Sequence, residues 1–229
     1  MYNSILLSSA ALLALVSGST AFADTYTYYT GDGSTDAGWP SIDSWGTWDQ
    51  LWEANSAIMS ETCGWNGWGA DDSATEISYI QTAIESVASA SGVDERFILA
   101  IVMQESEGCV RVPTTNNGVV NPGLMQSHDG TGTCAGTNPC PQSEITQMIE
   151  DGTEGTSSGN GLEQLIAQVQ TYLGLDIAPR VYYSAARLYN SGSIDYTNLD
   201  DGLGSTPCYS SDVANRLTGW VLAARTCTA

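Results

Sequence analysis

Residues 94–106 read Asp-Glu-Arg-Phe-Ile-Leu-Ala-Ile-Val-Met-Gln-Glu-Ser. Phe97, Ile98, Ala100, Ile101 and Val102 make the helix apolar on most sides, so it is expected to be the buried central one. Asp94 is placed to cap its first turn. Working outward, Ser73-Ala74-Thr75-Glu76 is a capping box before Ile77, Ile80, Ile84 and Val87 at helical spacing, and Gly92 is the stop. The spacing predicts further helices over 143–151, 162–173, 179–189 and 212–224, with loops at 152–161 and 193–210. Trp45, Trp48 and Trp52 fall on one face of a helix over 43–59, either as core or as a platform for sugar rings. Residues 108–140 hold Gly, Pro, Asn, Thr and three Cys, and read as irregular structure with room for a short ribbon. The fold class is mainly α: a single disulfide-stapled domain of six or seven helices.

Composition narrows the function. The chain has 229 residues, 42 % of them hydrophobic and 14 % charged, enough to build one core. It carries 26 acids against 6 bases, a net charge of −20. Every base is Arg, and 13 acids with no base lie between Asp24 and Glu95. Such a chain cannot bind nucleic acid by neutralising phosphates, nor dock on anionic membrane.

Residues 1–23 read as a secretory signal peptide, with an apolar run from Ile5 to Val16 and Ala21-Phe22-Ala23 at the cleavage site. A membrane anchor is the rival reading, but the run is shorter than the ~20 residues a span needs. Residues 24–42 read as a flexible polar leader, and 43–229 as the domain proper. An even set of six cysteines in a secreted chain implies three disulfides. Zinc is disfavoured by a single His and by the absence of tight Cys pairs, so no metal or cofactor is expected. Fifteen pairings are possible; the expected one is Cys134–Cys140 as a local clip, with Cys208–Cys227 and Cys63–Cys109.

Glu105 is the residue that needs a reason. It ends an otherwise apolar helix, where the partial negative charge of the helix end and burial both raise a carboxyl pKa. An acid still protonated near neutrality is what glycosidic-bond cleavage uses; the plainer reading is an exposed terminal Glu.

Three segments occur in order: Met103-Gln104-Glu105-Ser106, Asn121-Pro122-Gly123-Leu124-Met125-Gln126 and Ala186-Arg187-Leu188-Tyr189-Asn190-Ser191-Gly192. Together, over residues 75–193, they resemble the soluble lytic transglycosylases and goose-type lysozymes of glycoside hydrolase family 23. The resemblance implies a lysozyme-like fold, with Glu105 as catalytic acid. It implies that Ser106, Met125 and Gln126 line the sugar cleft, that Tyr189 hydrogen-bonds near Glu105, and that Asn190 contacts substrate. The chain departs from the pattern in a longer Glu-to-Gly-Leu-Met spacing, in Ser191 for Ala, and in His128 followed by Asp129 where goose-type enzymes hold an Asp. With Glu105 alone, the substrate's N-acetyl group would act as nucleophile and leave an anhydro sugar. With His128 or Asp129 holding a water, hydrolysis with inversion would follow.

The expected function is a secreted, monomeric glycosidase cutting β-1,4 bonds in an N-acetylglucosamine polysaccharide, peptidoglycan first and chitin second. The alternatives are a non-catalytic carbohydrate-binding or effector protein on the same fold, and a disulfide-stapled interaction protein.

Overall fold

The structure is a computed structural model that describes residues 23–228. The segment read as a signal peptide lies, but for Ala23, outside the described residues. Among the described residues, seven α-helices follow one another: α1 (Trp48–Trp65), α2 (Ala74–Ser91), α3 (Glu95–Ser106), α4 (Gln142–Thr153), α5 (Leu162–Leu173), α6 (Pro179–Ser191) and α7 (Tyr209–Leu217). Between α3 and α4 lies one antiparallel ribbon, β1 (Thr115–Asn116) with β2 (Val120–Asn121). The protein is a mainly α domain stapled by three disulfides, Cys63–Cys109, Cys134–Cys140 and Cys208–Cys227. No helix among the described residues is long and apolar enough to cross a membrane.

α3 is the hub. Every residue from Phe97 to Met103 is buried, and α1, α2 and α7 all pack on it. Asp94 accepts the Arg96 amide at its start. α2 starts with the Ser73/Glu76 capping box and ends at Gly92 in the left-handed region, so both of its ends are closed by side chain or backbone. α2 lies along α4, α5 along α6, and α7 bridges α3 and α6.

Two helices sit differently from their expected spans. α1 begins at Trp48, not 43, because Thr47 and Gln50 form a capping box. Trp45 therefore stands before the helix, where its indole donates to the Tyr183 hydroxyl (2.9 Å) and packs edge-on to Tyr182. α7 begins at Tyr209 and is over by Leu217, because Gly219 takes a φ of +98° and turns the chain away.

The polar segment 24–42 is docked rather than free, a correction to the flexible leader expected. Tyr26 donates to Asp212 (2.6 Å), the Thr27 amide to Asn215 (2.7 Å) and the Tyr29 amide to Ser211 (3.0 Å). The Asp24 carboxylate accepts the amides of Val221, Leu222 and Ala223. Trp39 is buried against Tyr29 and Tyr183. Side-chain partners, rather than apolar periodicity, thus strap this segment along α7.

The loop after α3 is held by a buried ion cluster. Arg111 donates to Asp72 (2.8 Å), to Glu76 and to Asn138 (2.8 Å). Asp72 also accepts the Val110 amide and Glu76 the Cys140 amide. The cluster joins the start of α2 to both ends of the irregular segment, beside two of the three disulfides.

Candidate active site

Gly123-Leu124-Met125-Gln126 is a turn dictated by space. Gly123 has a φ of +74°, and a Cβ there would lie 2.5 Å from Met148 Cγ and 2.6 Å from the Gly132 carbonyl oxygen. Only glycine fits. Leu124 and Met125 then point into the core, both fully buried, and Gln126 turns back toward solvent with a φ of +46°. We expect Gly123→Ala to lower stability by about 1–3 kcal/mol through backbone strain and overpacking. A urea midpoint unchanged from wild type would contradict this account of the turn.

Glu105 lies on the last turn of α3 and is partly exposed at the floor of an open groove. Burial pushes its carboxyl up to about 7, against the opposing pull of the Tyr209 hydrogen bond and the Arg216 charge. Tyr209, at the first turn of α7, donates to Glu105 Oε1 (2.5 Å). Glu105 Oε2 has no protein partner among the described residues. Arg216 stacks on Trp220 (4.6 Å) and donates from Nε to Gln104 (2.8 Å). Its charge thus acts on Glu105 without a direct bond.

The groove has two joined compartments, of about 580 and 650 Å³. Asn117, Asn121, Gln126, Tyr189, Asn190 and Ser205 border both. Thr115, Gly204 and Thr206 complete the inner one, beside Glu105. His128, Asn160 and Gln168 line the outer one. Among the described residues, Glu105 is the one carboxylate lining either compartment.

The structure therefore brings together Glu105, Gln126, Tyr189 and Asn190, with His128 farther along. It does not place Ser106 or Met125 on the cleft surface. Ser106 is buried, its hydroxyl donating to the carbonyls of Val102 (2.9 Å) and Leu124 (2.8 Å), so it latches the turn to α3. The Met125 side chain sits against Gly152 in the core. Its carbonyl accepts the Tyr189 hydroxyl (2.8 Å), so Tyr189 braces the turn, and the hydrogen bond to Glu105 comes from Tyr209 instead. Asp129 is exposed and outside the groove lining, 3.8 Å from His128. Gln126 braces too: its Oε1 accepts Thr115 Oγ1 (2.9 Å), tying the ribbon to the turn. The tryptophan face supplies no sugar platform in this groove. Trp45 is core, while Trp48 and Trp52 stack on each other (5.5 Å) and border depressions that share no residue with the groove.

Tyr209 was missed because the helix that carries it was expected to begin three residues later. The hint was its place directly after Cys208, which the Cys208–Cys227 bridge fixes. Tyr209→Phe removes a bond that favours the ionised carboxyl. Glu105 then titrates higher, and a pH–rate profile that falls as pH rises through about 7 in the wild type moves to higher pH. Turnover falls as well, since the carboxyl loses its one fixed partner. An unmoved profile would remove Tyr209 from the site.

No known protein-family model matches the chain, and no curated protein matches it.

Proposed function

We propose that the protein is a glycosidase of the lysozyme and lytic transglycosylase kind, cutting β-1,4 bonds in an N-acetylglucosamine-containing polysaccharide. The observation that carries this reading is Glu105: one half-buried carboxyl, raised to about 7 and so still partly protonated near neutrality, at the floor of an open groove of amides and hydroxyls. Such a group can protonate the glycosidic oxygen as the bond to C1 breaks. A second carboxylate would be needed to hold the nucleophile in the two-carboxylate schemes, and the groove lining offers none. The reading therefore assigns that task to the substrate. The acetamido carbonyl oxygen attacks C1 and gives a cyclic oxazolinium ion. The sugar's own 6-hydroxyl then opens it at C1 while Glu105, now ionised, takes the hydroxyl proton. The product is an anhydro end, and Glu105 is returned protonated.

Three disulfides suit an oxidising compartment, and secretion is part of the proposal. The test is mass spectrometry of products from N-acetylglucosamine oligomers and from glycan strands, with wild type and Glu105→Gln side by side. Ends one water lighter than reducing ends support the scheme. Reducing ends alone overturn the anhydro step, and no cleavage of either substrate overturns the glycosidase reading.

A further inference from the structure

The groove belongs to a chain with six bases, all Arg, and each of the six is committed. Arg96 pairs with Asp94 (2.6 Å), Arg180 with Asp32 (3.3 Å) and Arg225 with Asp212 (2.8 Å). Arg111 is buried between Asp72 and Glu76. Two others stand behind the groove wall without reaching its surface. Arg187 is fully buried and donates to the carbonyls of Thr206 (2.8 Å) and Pro207 (3.1 Å) and to Asn190 Oδ1. Arg216 is buried against Trp220 and Gln104. His128, in the outer compartment, has the Asp129 carboxylate 3.8 Å away. No residue lining the groove is Arg or Lys.

What the wall offers instead is neutral. The side-chain amides of Asn117, Asn160 and Gln168 have no protein partner among the described residues, and each can donate and accept at once. Arg187 fixes the orientation of Asn190: its Oδ1 is taken, and its Nδ2 donors are left without a protein partner. That pattern matches hydroxyls and acetamides. A carboxylate in the groove would meet amide oxygens, the Glu105 carboxyl and the field of a chain of net charge −20, with no cation to offset its desolvation.

We propose that this groove selects uncharged N-acetylhexosamine polymers, chitin-type chains, over glycan strands that bear free carboxylates on alternate sugars, as peptide-free peptidoglycan strands do. The proposal rests on the glycosidase reading for the site's occupant but not for its turnover.

The experiment measures binding with the Glu105→Gln chain, so that chemistry does not intervene. The probes are chitohexaose, a hexasaccharide of alternating N-acetylglucosamine and N-acetylmuramic acid, and the latter with its lactyl carboxyls converted to methylamides. At neutral pH and low salt, chitohexaose should bind at least about tenfold tighter than the free-acid strand, since like charges brought together disfavour a wrong partner. Methylamidation should recover most of that gap, and salt should narrow it, with a Debye length of about 10 Å at 0.1 M. Asn117→Arg places a cation on an exposed position of the ribbon that borders both compartments; it should favour the free-acid strand selectively. Equal or tighter binding of the free-acid strand overturns the selectivity, and so does binding of none of the three. Chitohexaose bound but never cleaved by the wild type overturns the glycosidase reading and leaves the selectivity standing.

Discussion

Glu105→Gln should abolish turnover while the fold survives. The change keeps the shape, and the Gln amide oxygen can still accept the Tyr209 hydroxyl across the same contact. What it removes is the transferable proton, and general acid catalysis is typically worth roughly 10²–10⁴-fold. The same variant should flatten part of the pH dependence of stability. The sign follows from the direction of the shift. Glu105 in the folded chain titrates at about 7, above the ordinary 4.5, so the folded state binds its proton more tightly than the unfolded state does. The stabilising contribution is complete below about 4.5 and is lost as pH rises through 7. Wild type should therefore melt lower at pH 8 than at pH 5 by more than the Gln variant does. Each 1 kcal/mol corresponds to roughly 2–4 °C in a chain of this size. Activity above a tenth of wild type in the Gln variant would show that another group supplies the proton.

Arg111→Met should be the most damaging single change to stability, about 3–5 kcal/mol. The residue is buried, and its loss leaves Asp72 and Glu76 as neighbouring carboxylates out of water. Burial already drives Asp72 upward from the ordinary carboxylate range, even with Arg111 present. Without the guanidinium both acids are pushed up, so the damage should be largest at alkaline pH and shrink as pH falls and they take protons. Adding Asp72→Asn should restore part of the loss. Chemical denaturation at two pH values measures all of this. A cost below 1 kcal/mol, or one independent of pH, contradicts the account. Activity should suffer alongside, because the cluster anchors the segment that carries Gln126.

The elements legible in the sequence were those whose signals are local. Residues 162–173 are helical as expected, because Leu162, Leu165, Ile166 and Val169 recur at helical spacing and Gly174 stops the run. The ribbon was legible only as a possibility, since two-residue strands have no period to read. The docking of 24–42 was not legible, because it rests on pairs of polar side chains some 186 positions apart. In the site, Glu105 could be singled out because an acid closing an apolar helix is a local anomaly. Ser106 and Met125 were read as cleft residues from the resemblance, yet their side chains face inward: a short motif marks a backbone geometry without saying which way each side chain points. Tyr209 and the amides of the ribbon reach Glu105 only through tertiary packing.

The strap formed by Asp24 to Tyr29 also sets an order of events. Its partners, Ser211 to Ala223, lie between 182 and 199 positions further along the chain. Made from the N-terminus onward, those residues have nothing to hold until α7 has followed, and the bundle from α1 to α6 can gather without them. Contacts this distant in sequence carry the steepest loop-closure cost, so the strap closes last. Its closure fixes Asp212 and Asn215 on α7, and with them the helix whose first residue holds the Glu105 carboxyl. Closure of the strap and assembly of the hydrogen bond that Tyr209 gives to Glu105 are on this account a single late step in folding.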